Sequence, residues 1–385
     1  MSKSSQLCDG FRRREWSLNC VMSRRLGPKR NLADRMIQRE LGQAGEMWEA
    51  LRKTGLDAGL ADIGVCAVGV LEPSRSVLRP RRDAGLSATM QFTYRNPDRS
   101  SDPARSLAGA RSIVVGAWGY RRRQVEPPEG TSGRVASYAW RDHYQDLRSA
   151  LETVAAELRG LGYQARVHLD DNNLVDRNVA FNAGLGWYGK NANLLLPGLG
   201  SWFVLGSVVT DAPLESSGPP IADGCGPCTR CLDECPTQAI VAPGIVDAGR
   251  CIAWLVQGPG EIPVEFRAAV GDRIYGCDDC QEVCPPNQRG EPPPPEIDID
   301  PWIEIEWILS ASDEELMDRV GRWYMAGRDP NVVRRTALVV LGNIGDPGDE
   351  RIRDLLDDYR QRPNEILNEH ASWAAEQLGL DPVAS

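Results

Sequence analysis

Hydrophobic and polar positions change period several times between residues 47 and 215 of this 385-residue chain. Residues 47–60 are amphipathic, and 144–161 place Leu147, Leu151, Val154 and Leu158 at helical spacing. Apolar runs that predict strands lie at 63–71, 111–118, 164–169 and 202–210. Strands that alternate with helices along a chain predict an α/β layer architecture for this region.

The pattern after residue 290 is helical. Pro292 to Pro295 open an acidic linker, whose proline run predicts a stiff, extended segment. The predicted helices that follow lie at 313–325, 331–342, 349–359 and 365–378. The third and fourth resemble a helical-repeat pair, but one pair is too little for a solenoid, because repeats bury their faces against neighbours. We therefore expect a small all-α domain.

These patterns divide the chain into four predicted segments. The boundaries are 1–45, 46–218, 219–290 and 291–385. The first segment holds ten Lys or Arg, four Asp or Glu and little apolar periodicity. It predicts a disordered basic extension in preference to a basic RNA-binding arm. Its two cysteines, Cys8 and Cys20, are not expected to bind a cofactor.

Charge and hydropathy exclude some classes of protein. Acidic residues number 54 against 44 Lys and Arg, which gives a net charge of −10. This balance argues against binding to nucleic acid by bulk charge, although a local basic patch is compatible with it. No apolar run approaches the ~18–20 residues of a membrane span. No apolar core follows Arg12 to Arg14 as in a secretory signal, so we expect a cytoplasmic protein without membrane association.

The cysteines carry the clearest chemical signal. Of the eleven in the chain, eight lie between residues 225 and 284. The first run is C-x2-C-x2-C-x3-C-P, formed by Cys225, Cys228, Cys231, Cys235 and Pro236. In two-cluster ferredoxins the first three thiolates of this run hold one [4Fe–4S] cluster and the fourth ligates the other. The companion run is formed by Cys277, Cys280, Cys284 and Pro285, and lacks the first cysteine of the pattern.

Counting ligands assigns all eight cysteines. One cluster is predicted to bind Cys225, Cys228, Cys231 and Cys284, and the other to bind Cys235, Cys251, Cys277 and Cys280. The alternatives are structural zinc sites or free core thiols. The chain has only three histidines, none near these cysteines, so Cys2His2 zinc sites are excluded. Two clusters make a path for single electrons, and a plain ferredoxin does not need ~300 further residues. We therefore expect the α/β part to receive the electrons.

A glycine motif offers one more candidate site. Gly184, Gly186 and Gly189 match G-x-G-x-x-G, the phosphate-binding turn of dinucleotide folds. Such a turn must follow a strand and open a helix, whereas residues 176–182 before it predict a helix and an apolar run follows it. A nicotinamide site is therefore not expected here.

Both cysteine runs, with Arg273-Ile-Tyr-Gly-Cys-Asp-Asp-Cys-Gln281 between them, resemble the epoxyqueuosine reductase family. Three further segments resemble the family in order and spacing. They are Asp170-Asp-Asn-Asn-Leu-Val-Asp-Arg177, Ala183-Gly-Leu-Gly-Trp-Tyr-Gly-Lys190 and Gly200-Ser-Trp-Phe-Val-Leu-Gly206. The resemblance extends from about residue 47 to 370, and Cys251 occupies the place of the family's isolated ligand.

The resemblance implies an oxidoreductase built from an α/β (α+β) cobalamin-binding domain, a ferredoxin-like double [4Fe–4S] domain and a small all-α HEAT-like C-terminal domain. It implies reduction of epoxyqueuosine to queuosine at the wobble position of tRNA, with electrons passing from two [4Fe–4S] clusters to base-off cobalamin. Asp170 matches the family's proton donor, and Leu194 and Leu205 match positions that line the corrin. The implied partners are tRNA and a low-potential donor of the ferredoxin or flavodoxin type, with the enzyme a monomer.

The chain departs from the family pattern near the implied active site. Asp170 is followed by Asp-Asn-Asn, Asp176 replaces a glutamate, and Cys284-Pro-Pro-Asn287 replaces Cys-Pro-Trp-Asn. Two alternatives therefore stay open: a related reductase of a small molecule, as in reductive dehalogenases, and an electron-transfer protein without cobalamin. From the residues alone, Asp170 and Asp171 predict a turn pair at the end of the third strand; if they continue that strand, their side chains alternate between its faces.

Basic and histidine residues supply the remaining candidates. We expect Arg334 and Arg335 on a C-terminal helix to bind tRNA phosphates, while Lys190, Arg230 and Arg273 lie nearer the implied active site. Each is equally compatible with a solvated surface charge. No histidine lies in a cobalamin-capturing motif, and His143 and His168 are expected to be ordinary core or surface residues.

Overall fold

The computed structural model describes residues 32–380, with side chains from residue 44 onward. It divides into two units, Met1–Gly42 and Gln43–Ser385. Residues 1–31 of the predicted extension, including Cys8 and Cys20, lie outside the described residues. The first helix begins at Leu32, earlier than the amphipathic pattern predicts. Strong helix formers such as Leu, Arg, Gln and Glu fill residues 32–46, so propensity extends the helix where apolar periodicity is weak.

The described part of Met1–Ser385 alternates helices and strands in its first half and is mainly helical in its last quarter. The helices are α1 Leu32–Asp57, α2 Glu72–Asp83, α3 Phe92–Arg95, α4 Pro97–Ser100, α5 His143–Gly160, α6 Asp176–Asn182, α7 Arg230–Asp233, α8 Ile252–Leu255, α9 Val264–Val270, α10 Asp279–Glu282, α11 Ile305–Ser310, α12 Asp313–Val320, α13 Asn331–Ile344, α14 Glu350–Gln361 and α15 Glu365–Gln377. The strands are β1 Asp62–Ala67, β2 Ser112–Gly119, β3 Ser132–Val135, β4 Ala165–Leu169, β5 Trp187–Tyr188, β6 Leu194–Leu195, β7 Phe203–Thr210, β8 Ile240–Ala242, β9 Ile245–Val246, β10 Arg273–Tyr275 and β11 Trp302–Glu304. No helix within the described residues is long and apolar enough to cross a bilayer.

The four strands predicted from apolar runs form one sheet in the order β1-β2-β7-β4. Every neighbouring pair in it is antiparallel. The alternation of strands and helices thus predicted the mixed fold, while the strand directions place the region in the α+β class. Periodicity reports which face of a strand is buried, not which way its neighbour runs, so the directions could not be obtained from the pattern.

Helices cover both faces of this sheet. On one face α5 packs Leu151 against a core that includes Val114, and on the other α6 packs Val179 against a core that includes Val115. Successive side chains of β2 thus point to opposite cores, as the pleat of a strand requires. Because both faces are covered, the sheet is open at its strand ends and along the edge strands β1 and β4, and β4 ends immediately before Asp170.

A second core joins the cysteine-rich segment to the C-terminal helices. Strand β3 pairs in parallel with β10 and antiparallel with β11. The surrounding core takes in Ile252 beside Cys251, Tyr275 of β10, Leu338 of α13 and Ala374 of α15. Pairing and packing therefore cross the predicted boundaries near residues 218 and 290, which stay predictions.

A buried ion pair also fixes the last helix. Arg267 of α9 is fully buried and donates two hydrogen bonds, of 2.8 and 2.6 Å, to the carboxylate of Glu369 in α15. It also donates to the carbonyl of Ile262 at 2.8 Å. Removing the carboxylate leaves a buried cation with one fewer partner, which is more costly than losing a surface pair.

Glu369→Ala is therefore expected to lower the free energy of unfolding by about 1–3 kcal/mol, less than for a fully buried pair because the Glu369 side chain is 42% exposed. Urea unfolding followed by circular dichroism measures the change. Glu376→Ala, an exposed glutamate on the same helix, is the matched control and should change the value by less than about 0.5 kcal/mol. Equal effects of the two substitutions would contradict a stabilising role for the buried pair.

Candidate active site and cluster-binding segment

The turn after β4 carries the predicted proton donor. Asp170 has a φ of +48°, in the left-handed region that aspartate tolerates better than most residues. The Asp171 carboxylate accepts the backbone N–H of Asn173 at 2.7 Å, and the carbonyl of Asn172 accepts the Ser100 hydroxyl at 2.6 Å. Leu174, buried in the core, ends the turn. Asp170 and Asp171 therefore occupy a turn, as the residues alone predict, and the alternative that they continue the strand does not hold because β4 ends at Leu169.

A histidine contacts this turn from inside the sheet. Nδ1 of His168, a buried residue of β4, lies 2.8 Å from a carboxylate oxygen of Asp171. The sequence interpretation treated His168 as an ordinary core or surface histidine and missed this contact. The available signal was a histidine three residues before an acid across a predicted strand end.

The pKa values of three carboxyl groups in this region are shifted in different directions. Water reaches Asp170, yet protein surrounds it closely enough that burial, and then the Asp171 charge, raise its pKa. Burial also raises the pKa of Asp171, but hydrogen bonds from His168 and Asn173 outweigh it, so that pKa lies below its ordinary value. Burial, followed by the charges of Asp171 and Asp170, raises the pKa of Asp176 well above its usual range. Asp171 is thus the acid that ionises most readily of the three, while Asp170 and Asp176 keep their protons to higher pH than an ordinary aspartate.

Two tyrosines connect this turn to the cysteine-rich segment. Burial first, with the Asp170 charge among the further causes, raises the pKa of Tyr275 to about 12 and that of Tyr144 higher still. Asp170 therefore lies within electrostatic range of α5 and of the end of β10. Tyr275 lies two residues before Cys277, so the group that the Asp170 charge reaches is close in sequence to the second cysteine run.

The thiols of the first predicted ligand set lie close enough to interact. Burial, then Cys225 and Cys228, raise the pKa of the Cys231 thiol. The pKa of Cys284 rises to about 11 through burial, then through Cys225, Cys231 and Cys228. Since these pKa effects are mutual repulsions between thiolates, they place Cys284 beside the three cysteines of the first run.

The second predicted set is brought together in the same way. Burial is the first cause that raises the pKa of Cys251 and of Cys280, with Cys235 a further cause for Cys251, and Cys277 and Cys251 for Cys280. Cys251, alone in sequence, thus lies between the end of the first run and the start of the second. Which cluster each thiolate holds stays a prediction. Among the described residues, no three His, Cys, Asp or Glu side chains are close enough to hold a single metal ion.

Lys190 and Asn191 attach the α/β part to both cysteine runs. Nζ of Lys190 donates to the carbonyls of Gly226 and Cys228 at 2.7 and 2.9 Å. The Asn191 side chain donates to the carbonyl of Cys280 at 3.1 Å. Lys190 therefore shapes the loop that carries the first thiolates, a role that the sequence interpretation did not foresee.

A buried amide makes a third attachment. The Asn287 side chain accepts the N–H of Ser201 at 2.6 Å and donates to its hydroxyl at 2.9 Å. A Cβ at Gly200 would lie 1.9 Å from the Asn287 oxygen, so the close approach requires glycine there. The last cysteine run, which ends at this asparagine, is thus held against the loop before β7.

The expected tRNA-phosphate role of Arg334 and Arg335 is wrong. Both side chains are buried, at 6% and 2% exposure. Arg334 pairs with Asp313, and Arg335 donates to the carbonyls of Leu255, Gly258 and Gly260 after α8. A cation that satisfies buried carbonyls cannot reach an RNA backbone. Arg335 instead fixes α13 to the segment beside Cys251, and Arg334 fixes it to the start of α12 through Asp313 and the carbonyl of Ala311.

The other two arginine candidates, Arg273 and Arg230, differ in their surroundings. Arg273 makes a paired hydrogen bond to Asp279 at 3.1 and 2.7 Å, so it is committed to the fold of the cluster segment. Arg230 is exposed between two of the predicted ligands, and its contact with tRNA stays a prediction.

The predicted corrin contacts and the glycine motif lie around the β5–β6 hairpin. Leu194 and Leu205 are buried in the core on the α6 face, and their contact with a corrin stays a prediction. A Cβ at Gly186 would lie 2.2 Å from the carbonyl oxygen of Leu195, so this glycine allows the hairpin to close. The motif follows α6, as expected, and lacks the strand before it that a dinucleotide turn requires.

The residues present fit a corrinoid that receives no histidine from the protein. All three histidines are buried: His168 contacts Asp171, His370 accepts the N–H of Ile262, and His143 stacks on Tyr120. The indole N–H of Trp187 on β5 is buried without a hydrogen-bond partner within the described part, and the indole packs against Gly224 just before the first cysteine run. Amide groups at the rim of a corrin accept such a bond.

Similarity to known proteins agrees with this geometry. Residues 224–287 match the 4Fe-4S double cluster binding domain family. The epoxyqueuosine reductase of Xanthomonas campestris is 35% identical over 356 residues, covering 86% of this chain and 96% of the relative.

Solved structures show the same relationship. A crystal structure of epoxyqueuosine reductase with an epoxyqueuosine-modified tRNA-Tyr stem loop superimposes with a TM-score of 0.80 at 30% identity, covering 87% of this chain and 91% of that one. The Bacillus subtilis epoxyqueuosine reductase, with its catalytic loop swung out of the active site, gives a TM-score of 0.78 at 29% identity and the same coverage. With the family relative covered almost end to end and the double-cluster segment matched, the chain belongs to the epoxyqueuosine reductase family.

Proposed function

We propose that this protein reduces epoxyqueuosine to queuosine in tRNA. The observation that carries the proposal is its membership of the epoxyqueuosine reductase family over nearly the whole length of a relative. A solved member binds a tRNA stem loop that carries the epoxide. Opening the epoxide and releasing its oxygen as water consumes two electrons and two protons, so the protein must supply both. The small-molecule reductase and the cofactor-free carrier are not favoured by these relatives.

The electrons pass through two [4Fe–4S] clusters held by residues 224–287. Each cluster carries one electron at a time, which suits a donor of the ferredoxin or flavodoxin type. We propose the ligand sets given above, with Cys251 as the isolated eighth ligand. The enzyme is proposed to act as a monomer with the segment boundaries 46–218, 219–290 and 291–385.

Cobalamin is the proposed cofactor of the α/β region. When bound, it supplies a low-valent cobalt that transfers electron density to the substrate. The residues proposed to hold it are Leu194 and Leu205 on the α6 side of the sheet, with the Trp187 N–H as a donor. We propose that cobalamin would bind base-off, and because all three histidines are engaged elsewhere, no histidine of the chain would replace the released base.

Asp170 is the proposed proton donor to the departing oxygen. Its pKa is raised by burial and by the neighbouring Asp171 charge, so its proton is retained at higher pH than for an ordinary aspartate. Asp171 stays ionised because His168 and Asn173 bind its carboxylate. Two adjacent acids thus take different roles: one donates the proton, and the other keeps it in place.

This assignment predicts a pH dependence. The protonated form of Asp170 is the active one, so kcat should be constant at low pH and fall as pH rises through the Asp170 pKa. Asp171→Asn removes the charge, so the pKa of Asp170 should decrease and the fall should move to lower pH. The one oxygen of asparagine can still accept from the Asn173 N–H, while its amide N–H meets Nδ1 of His168, which accepts in the other neutral tautomer. Single-turnover rates across a pH series measure the pH at which the rate falls. If that pH is the same in Asp171→Asn and the wild type, another group donates the proton.

Mass spectrometry of nucleosides tests the function itself. Epoxyqueuosine-containing tRNA is incubated without oxygen with reconstituted protein, cobalamin and a strong reductant, and the digest is searched for queuosine. Queuosine formation that depends on both cofactors supports the proposal. Loaded clusters and cobalamin without queuosine would refute the tRNA assignment and favour a small-molecule substrate.

A further inference from the structure

His168 occupies the point where the sheet meets the turn that carries the proton donor. It is the penultimate residue of β4, and its Nδ1 reaches across the strand end to the carboxylate of Asp171 at 2.8 Å. The hydrogen bond therefore encloses Leu169 and Asp170 in a short loop of chain. Any movement of Asp170 away from the sheet must stretch or break it.

The turn needs such an attachment because its backbone is strained. A φ of +48° is a sparsely populated conformation for a residue with a side chain, and it persists only when the surroundings hold it. The other side of the turn is held by α4, where Arg99 donates to the Asn173 side chain at 3.0 Å and Ser100 to the carbonyl of Asn172. Those contacts hold Asn172 and Asn173, whereas the His168 contact holds Asp171, the residue that directly follows Asp170.

The histidine ring itself depends on Asp171. Its other nitrogen, Nε2, is buried and has no hydrogen-bond partner in the described part of the chain. The facing residue on β7 is Ser207, whose hydroxyl is also buried and unpaired there. An apolar side chain would fill this position without leaving an unpaired nitrogen in the core. The polar contact that favours histidine over an apolar residue at this position is therefore the hydrogen bond to Asp171.

We propose that His168 is a positioning residue, which through its hydrogen bond to Asp171 holds the turn that presents Asp170 to the substrate. The inference rests on the proposed function for the role of Asp170, and on the geometry alone for the attachment of the turn. His168 does not touch the reacting atoms. It acts by limiting the positions that Asp170 can take, and a misplacement of about 1 Å is enough to slow a reaction by about 100-fold.

Three variants test the proposal. His168→Phe fills the core but removes the donor, and His168→Asn restores an N–H close to the position of Nδ1. His143→Phe removes a second buried histidine, one that also has an unpaired Nε2 and lies on α5, and is the matched control. Two quantities are measured on cluster-loaded protein: hydrogen exchange of the peptide spanning 169–175 without tRNA, and kcat and KM for queuosine formation.

We expect His168→Phe to speed exchange in this peptide by about tenfold or more, because the turn opens locally while the sheet stays folded. It should lower kcat by about 10- to 100-fold with KM for tRNA and cluster absorbance unchanged. His168→Asn should recover most of both effects. His143→Phe should leave the exchange of this peptide at the wild-type rate.

The proposal would be overturned if the 169–175 peptide of His168→Phe exchanged at the wild-type rate. It would also be overturned if exchange became faster while kcat stayed unchanged. Failure of His168→Asn to recover either quantity would also overturn it, because ring shape and not the hydrogen bond would then matter. If wild-type protein forms no queuosine, the proposed function fails, while the exchange rates of the two His168 variants still decide whether this residue holds the turn.

Discussion

Asp170→Asn is expected to lower kcat for queuosine formation by about 10²- to 10⁴-fold, the usual contribution of a positioned proton donor. Asparagine tolerates the left-handed conformation at φ +48° as aspartate does, so the turn should keep its shape while the proton is lost. Cluster content and tRNA binding should not change. The measurement is single-turnover formation of queuosine, with a gel-shift assay for tRNA affinity.

The matched control is Asp318→Asn, an exposed aspartate on α12, which should leave kcat within about twofold of the wild type. If Asp170→Asn keeps more than about a tenth of the wild-type rate, Asp170 is not the proton donor. Asp176 is partly buried and its pKa is raised well above the usual range, so it is then the next acid to test.

Loss of one cluster ligand should have an equally large effect. Cys251→Ser is expected to reduce the iron content from about eight to about four atoms per chain, because one cluster keeps only three thiolates. Queuosine formation should fall below about 1% of the wild-type rate, since the path for electrons is interrupted. Iron and sulfide analysis, with electron paramagnetic resonance of the reduced protein, measures cluster content.

Cys66→Ala provides the control for this experiment. Cys66 is buried in β1, outside both predicted ligand sets, and burial raises the pKa of its thiol to about 12, so it is not a ready ligand. Its replacement should leave about eight iron atoms per chain. Full iron content in Cys251→Ser would instead place the eighth ligand elsewhere, and the assignment of Cys235, Cys277 and Cys280 would need revision.

Much of the secondary structure could be predicted because it depends on neighbours in the chain. The apolar run at 111–118 corresponds to β2 at Ser112–Gly119, and the helix expected at 365–378 corresponds to α15 at Glu365–Gln377. Side-chain period is set within a few residues, and the turn residues that end these elements are equally local. Helix α1 is one exception, because its first half has helical propensity without the apolar stripe that marks a packed face. Helix α2 at Glu72–Asp83 and the short strands β3 and β11 are others, which no pattern predicted.

The cluster chemistry was also accessible from spacing. A run of C-x2-C-x2-C-x3-C-P places thiolates by short loops alone, and this feature led to the double-cluster family that residues 224–287 match. The isolated Cys251 could be found only by counting, since nothing around it marks a ligand. Its proximity to Cys235 and Cys280 depends on the folding of the whole segment.

Many of the helices and strands, the cysteine framework and the family could be predicted from the sequence, because local period and spacing encode them. The antiparallel order of the sheet, the burial of Arg334 and Arg335, and the contact between His168 and Asp171 became visible only in the folded chain. Two adjacent arginines on a helix give the same sequence pattern whether that face of the helix contacts solvent or buried carbonyls. The difference lies in which distant segments pack against it, and that is set by the burial of the whole chain and not by any one part of it.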